Sequence, residues 1–217
     1  MLFDVDGTLV DTTYLHAVCW AEALRGGGHV VPMSSVHNTI GMGSEMLLDQ
    51  LLGEDRDHDA DDELVHAHLA LYRQWWGRLT TLPGARELVR HCASSGLAVV
   101  LASSASEDEL GVLRETLDAE DSITVATSSS DAESSKPAPD ILQAALDKSG
   151  LEPSAVVFVG DAVWDGESAR RAGVAFVGLT CGGTHEAALR DAGAVEVYRD
   201  PAHLLAEFDS SPLAKLT

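Results

Sequence analysis

The sequence predicts an α/β protein with a doubly wound parallel sheet and an all-helical insertion near the start of the chain. Four short apolar runs, rich in β-branched residues, lack polar alternation, as expected of strands buried on both faces. These runs are 98–102, 123–126, 155–159 and 174–178. Helical patterns separate them, so the order strand, helix, strand predicts right-handed crossovers and places ligands at the carboxyl ends of the strands.

The elements follow from local patterns. Met1-Leu2-Phe3 is a very short apolar run, so we expect a short first strand. Residues of helical period predict helices at 85–94, 107–117, 138–148 and 166–172. Gly96, Gly150 and Gly173 follow three of them, as is typical of helix ends.

Residues 13–79 interrupt this alternation of strands and helices. Helical patterns at 14–24, 44–52 and 62–76 occur there without a convincing strand. We therefore expect a Rossmann-like core at 1–12 and 80–217 and a helical domain at 13–79. The acidic run 54–63 fails the calcium-loop pattern, because Ala60 and His66 replace the required Gly and Glu, and it predicts a solvated turn.

Composition narrows the function classes. The 217 residues hold 14 Lys and Arg against 35 Asp and Glu, a formal net charge of -21, which disfavours nucleic acid and anionic membranes as partners. Three scattered cysteines predict neither disulfides nor a zinc site. With no leader pattern and no membrane-length apolar run, we expect a cytoplasmic protein, and a monomer by default.

Two pairs of carboxylates follow predicted strands. Asp4 and Asp6 come directly after Leu2-Phe3 and lie two residues apart, on one side of an extended chain. Asp161 and Asp165 follow the run at 155–159, around a strand-to-helix turn. Mg²⁺ prefers such oxygen ligands, so the four residues predict a magnesium site. Helix capping by the same aspartates remains the alternative.

Two further motifs suit a phosphate. Ser103 and Ser104 follow the run at 98–102, where a hydroxyl and a backbone N–H at a helix entrance can bind an anion. Capping of the next helix is the alternative reading. Lys136 precedes Pro137, which restricts the backbone, and it is one of only three lysines in the chain. It is therefore a candidate to bind a nucleophile and a phosphate together. A lysine exposed at the surface is the commoner case.

In this order and spacing the motifs resemble those of the haloacid dehalogenase (HAD) superfamily, over nearly the whole chain. The helical insertion resembles the cap of the branch similar to phosphoglycolate phosphatase and β-phosphoglucomutase-like phosphatases. The resemblance implies a Mg²⁺-dependent phosphatase with the following roles: Asp4 as nucleophile, Asp6 as general acid and base, Ser103, Ser104 and Lys136 as phosphate binders, and Asp4, the Asp6 carbonyl, Asp161 and, as an outer ligand, Asp165 as the metal site.

The cap of this branch usually selects the substrate, so we expect the residues that decide specificity to lie at 13–79. His16 resembles a histidine that positions the acid/base aspartate, with ordinary packing as an equal alternative, and Gly43 and Ser44 resemble part of a specificity loop. Mutases of this branch carry an arginine near Ser44 and a lysine near His68, which this chain lacks. We therefore expect hydrolysis of a small phosphorylated metabolite, phosphoglycolate- or sugar-phosphate-like. The alternatives are a β-phosphoglucomutase-like phosphotransferase and a catalytically idle binding domain.

Overall fold

A computed structural model describes residues 1–216 and contains one six-stranded, all-parallel sheet in the order β3-β2-β1-β4-β5-β6. The strands are β1 (Leu2–Phe3), β2 (Val100–Ala102), β3 (Val125–Thr127), β4 (Val157–Gly160), β5 (Ala175–Leu179) and β6 (Ala194–Tyr198). The short β1 lies in the middle, where Leu2 and Phe3 pair with β2 and β4. The predicted α/β class and doubly wound parallel sheet are confirmed.

The sixth strand was not predicted. In β6 the central residues Val195 and Glu196 are exposed, because the strand lies at the edge of the sheet. Its pattern therefore differs from the continuous apolar runs of the central strands.

Helices cover both faces of the sheet. They are α5 (Ala85–Ser94), α6 (Glu107–Leu117), α7 (Asp140–Ser149), α8 (Val163–Ala172), α9 (Glu186–Asp191) and α10 (Pro201–Ala206). Phe3 and Val159 belong to the apolar cluster on one face, and Leu2 and Phe158 to the cluster on the other. Successive strand residues thus alternate between two cores, as the pleat requires.

The insertion is helical throughout. It comprises α1 (Thr13–Gly26), α2 (Met33–Thr39), α3 (Ser44–Leu52) and α4 (Asp61–Tyr72), followed by a 3₁₀ turn at Arg73–Arg78. These helices have an apolar cluster of their own, which includes Trp20, Leu24 and Leu48. The short α2 was not predicted. In the acidic turn, Arg56 pairs with Asp49 of α3 and Asp61 of α4 and so ties the two helices together.

The helical segment packs over the carboxyl edge of the sheet. His37 Nε2 lies 3.0 Å from the carbonyl oxygen of Gly182, and Trp164 Nε1 donates to the carbonyl oxygen of Asn38 at 3.2 Å. Gly43 approaches Ser135 so closely that a Cβ at position 43 would collide with it. Through these contacts the helical segment covers the carboxyl ends of the strands. Among residues 1–216, none of the helices combines the length and hydropathy that a bilayer crossing requires.

Candidate active site

Three carboxylates from two neighbouring strand ends meet in a buried cluster. Asp4 follows β1, Asp161 follows β4, and Asp165 lies in the first turn of α8. One oxygen from each lies within 4.8 Å of the other two. The predicted carboxyl-edge site is therefore assembled because β1 and β4 are adjacent in the sheet.

Lys136 is the cation of this cluster. Its Nζ forms ion pairs with Asp4 and, at 2.7 Å, with Asp165 Oδ1, and its side chain is only 2% exposed. The surface-lysine reading is thus wrong for this residue. Although burial alone would lower the pKa of Lys136, the charges of Asp165 and Asp4 raise it above its ordinary value, so the lysine stays charged.

The cluster contains three acidic groups and one basic group. Burial, with the charges of Asp165 and Asp6, raises the pKa of Asp4 to about 7, against the lowering effect of Lys136. Burial and the charges of Asp165 and Asp4 also raise the pKa of Asp161 well above its ordinary value. Three buried carboxylates around one lysine form a donor set that suits a hard divalent cation.

Asp165 has a structural task as well. Its Oδ2 accepts hydrogen bonds from the backbone N–H groups of Asp161 (3.1 Å) and Ala162 (3.0 Å). Helix capping, left open by the sequence, therefore applies to Asp165, which pairs with Lys136 through its other oxygen. Asp161 instead accepts a hydrogen bond from Thr8 Oγ1 at 3.0 Å.

The carboxylate of Asp6 lies in a second cluster, with His16 of α1 and Glu109 of α6. Asp6 Oδ1 accepts a hydrogen bond from Thr12 Oγ1 at 2.7 Å and lies 3.4 Å from His16 Nε2. Burial works to raise the pKa of Asp6, but the hydrogen bond and charge of His16 bring it below its ordinary value. The structure thus places His16 beside the predicted acid/base residue.

Glu109 is a site residue that the sequence reasoning missed. Its side chain is 8% exposed, and Oε1 lies 3.5 Å from His16 Nε2. Burial and the nearby Asp6 raise its pKa to about 7. In the sequence it is one of three acidic residues in the first turn of α6, a common place for solvent-exposed acids.

The two serines have different surroundings. Ser103 is fully buried, and its Oγ accepts the backbone N–H of Ala105 at 3.1 Å. Ser104 lines the cavity above the carboxylates, and its buried Oγ has no hydrogen-bond partner among the described residues 1–216. The cap of α6 is Ser106, whose Oγ accepts the N–H of Glu109, so the capping alternative for Ser103 is wrong.

A cavity of about 610 Å³ connects these groups. Gly43 and Ser44 line it from the helical segment, together with His16 and Trp20. His68 Nε2 lies 3.1 Å from His16 Nδ1, and the His68 ring stacks on Trp20 at a centroid distance of 4.3 Å. The predicted residues of the core and of the insertion therefore face one space, except Ser103, which is fully buried and does not line the cavity.

Comparison with known proteins identifies the class that this fold and site define. A family model for haloacid dehalogenase-like hydrolases matches residues 1–173. The chain therefore belongs to this hydrolase family. The prediction of the superfamily is confirmed by this match, and that of a phosphatase-type enzyme by this match together with the chain's similarity to phosphoglycolate phosphatases.

Individual relatives agree. A phosphoglycolate phosphatase of Pseudomonas putida is 30% identical over 191 residues, which cover 85% of this chain and 70% of that protein. The structure of a hydrolase from Pseudomonas syringae superposes with a TM-score of 0.91 at 32% identity, covering 96% of this chain and 97% of that one. A β-phosphoglucomutase from Clostridium difficile shares the fold at 19% identity, with a TM-score of 0.83 and coverage of 99% and 96%.

Proposed function

We propose that this protein is a Mg²⁺-dependent phosphatase that hydrolyses a small phosphate monoester through an aspartyl-phosphate on Asp4. The observation that carries the proposal is the pairing of Asp4 with the buried Lys136 inside a carboxylate cluster at the carboxyl edge of the sheet. Such a cluster has no structural need for so many like charges, which supports a functional role.

Asp4, Asp161 and Asp165, with the backbone carbonyl of Asp6, would hold the cation. When bound, Mg²⁺ supplies positive charge that neutralises phosphate oxygens. Lys136 keeps the Asp4 carboxylate in place and offers its one remaining N–H group to the phosphate. Ser104 Oγ, which has no partner among residues 1–216, and the hydroxyl proton of Ser103 are further donors to the phosphate.

Asp6 would act as general acid and then general base. His16 and Thr12 hold its Oδ1 and favour the ionised form in the resting site. A phosphate dianion arriving beside Asp6 raises its pKa by like-charge repulsion, which supplies the protonated form that the leaving alcohol needs. After the alcohol has accepted that proton, the Asp6 carboxylate can accept one from the water that attacks the aspartyl-phosphate.

The helical segment at 13–79 would serve as the cap domain, with the core at 1–12 and 80–217. It supplies His16, Gly43 and Ser44 to the cavity wall and shields the carboxylates from water. The names of the relatives make 2-phosphoglycolate one leading substrate, and sugar phosphates are the other class.

The test is phosphate release from a panel of phosphorylated metabolites, with Mg²⁺ and with EDTA. The wild type should release phosphate only with Mg²⁺, and Asp4→Asn should lower the rate by roughly a thousandfold or more. Asp62→Asn, which changes an exposed aspartate of the helical segment, is the matched control and should keep the wild-type rate. Near-normal release by Asp4→Asn would remove Asp4 as nucleophile. A folded wild type that neither releases phosphate nor binds Mg²⁺ would favour the idle binding domain.

A further inference from the structure

The part of the cavity beyond the phosphate end is apolar and aromatic on its cap side. Trp20, Met42, Met46 and Leu69 line this wall, and Ser44 adds a neutral hydroxyl. The leaving alcohol of a substrate held at Asp4 would face these side chains. Their chemistry suits carbon chains and hydroxyl groups.

Positive charge is scarce in this space. Among residues 1–216, Lys136 is the only lysine or arginine that lines the cavity, and its Nζ is taken up by Asp4 and Asp165. His16 already faces Asp6 and Glu109 through Nε2 and His68 through Nδ1. Burial and the neighbouring His16 lower the pKa of His68 to about 2, so His68 is neutral.

Negative charge is present instead. Glu109 lines the cavity next to Asp6 and is buried, while Glu45 and Glu133 lie exposed at the rim. The N-terminus of α3 also reaches the cavity at Ser44, but Glu45 in its first turn offsets the positive end of the helix dipole. A second anionic group on the substrate would therefore meet like charge and no free cation.

We propose that this cavity selects phosphate esters of neutral or cationic small alcohols and rejects esters whose alcohol carries a carboxylate or a second phosphate, with Glu109 as the specificity-determining residue. This inference rests on the phosphatase function proposed above and decides between its two leading substrate classes. It favours sugar- or polyol-type esters over 2-phosphoglycolate. Glu109 supplies no positive charge in either protonation state, and in its ionised form it repels a second anion in the cavity.

Three two-carbon esters of nearly equal size isolate the charge effect: 2-phosphoglycolate, 2-hydroxyethyl phosphate and phosphoethanolamine. We expect kcat/KM for the neutral and cationic esters to exceed that for 2-phosphoglycolate by about tenfold or more, since a buried charge without a partner costs binding energy. The neutral and cationic esters should also have lower inhibition constants against p-nitrophenyl phosphate hydrolysis than 2-phosphoglycolate has. Equal or better use of 2-phosphoglycolate, or failure of all three esters to compete, would overturn the inference.

Substitutions of Glu109 and Glu45 test whether their charges set the substrate preference. Glu109→Gln should raise the ratio of 2-phosphoglycolate to 2-hydroxyethyl phosphate activity several-fold, whereas Glu107→Gln, an exposed change in the same helical turn, should leave it unchanged. This ratio cancels any general loss of rate that Glu109→Gln causes through His16. Glu45→Lys, at the exposed rim, should also raise the ratio, and Gln50→Lys on the same helix is its control. An unchanged ratio in both Glu109→Gln and Glu45→Lys would contradict the assignment.

The outcomes separate this inference from the proposed function. Hydrolysis of p-nitrophenyl phosphate that needs Mg²⁺ and Asp4 supports the phosphatase whatever the order of the three esters. Failure of the folded wild type to release phosphate from p-nitrophenyl phosphate and from every ester of the panel would overturn the proposed function, and the substrate inference with it.

Discussion

Lys136 Nζ lies 2.7 Å from Asp165 Oδ1 in an ion pair that is almost completely buried, with the two side chains 2% and 1% exposed. The pair joins the loop before α7 to the first turn of α8, and the same Nζ contacts Asp4. Because the other oxygen of Asp165 is held by two backbone N–H groups, Asp165 fixes the position of the lysine. One cation thereby orients the carboxylate of Asp4, the proposed nucleophile, and partly neutralises the cluster.

Replacing this lysine should be costly. Lys136→Met leaves three buried carboxylates without their cation, so we expect the free energy of unfolding to fall by about 3–5 kcal/mol in EDTA, measured by urea denaturation. Lys148→Met is the control, because Lys148 pairs with Asp131 at the surface and should cost about 1 kcal/mol or less. Equal losses of unfolding free energy in the two variants would show that the buried ion pairs of Lys136 stabilise the fold no more than a surface pair does. Phosphatase activity should also disappear in Lys136→Met.

Replacing Asp161, one of the three buried carboxylates, should stabilise the fold, whereas replacing Lys136 should destabilise it. Burial and two neighbouring carboxylates raise the pKa of Asp161, so above its unfolded-state pKa of 3.8 the ionised form is the one that folding disfavours. Asp161→Asn should therefore raise the free energy of unfolding in EDTA by about 1 kcal/mol or more at neutral pH. Mg²⁺ should raise the melting temperature of the wild type and have little effect on that of Asp161→Asn. A full Mg²⁺-dependent rise in the variant would exclude Asp161 as a ligand.

Asp6→Asn should slow catalysis without disturbing the fold. The change removes the group proposed to protonate the leaving alcohol and to activate water, so we expect turnover to fall roughly 10²–10⁴-fold. Stopped-flow kinetics with p-nitrophenyl phosphate can separate the two steps. Its leaving group needs little protonation, so release of p-nitrophenol should persist in a single burst while hydrolysis of the aspartyl-phosphate stalls. Unchanged steady-state turnover would assign proton transfer to another group.

The ion pairs of Arg56 predict a pH dependence for the helical segment. The hydrogen bond from Arg56 lowers the pKa of Asp61 below its ordinary value of 3.8. A depressed carboxyl pKa stabilises the fold above pH 3.8, and this contribution is lost as the pH falls through the folded-state pKa. Asp61→Asn should therefore cost about 1 kcal/mol at neutral pH, with the difference from wild type vanishing in acid.

The matched control for that prediction is Asp62→Asn. Asp62 is exposed in the same first turn of α4, so its replacement should change the thermal stability little at any pH. A loss for Asp61→Asn that stayed constant down to strongly acidic pH would show that the ion pair with Arg56 is not its cause.

Much of the core could be predicted because its signals are local. Continuous apolar runs define strands buried on both faces, and acidic or serine residues directly after them lie at the carboxyl edge. These local signals predicted Asp4, Asp161, Asp165 and Ser103 at one edge of the sheet, whereas Lys136 was predicted from the adjacent Pro137 and from the family resemblance. The edge strand β6 and the short helices α2, α9 and α10 were not predicted, because a half-exposed strand and helices of six or seven residues leave weak periodic patterns.

The amino-acid sequence by itself determined the class of the sheet, the acidic motifs and the scarcity of lysine, since these depend on residue type and on spacing along the chain. Only the tertiary structure decided that Glu109 of α6 lies beside His16 of α1 and Asp6, and that Lys136 is shared between Asp4 and Asp165. In the sequence, Glu109 is indistinguishable from Glu107 and Asp108. Its burial is set by how α6 packs against the helical segment, and contacts between residues so distant in the chain follow from packing, which no local pattern encodes.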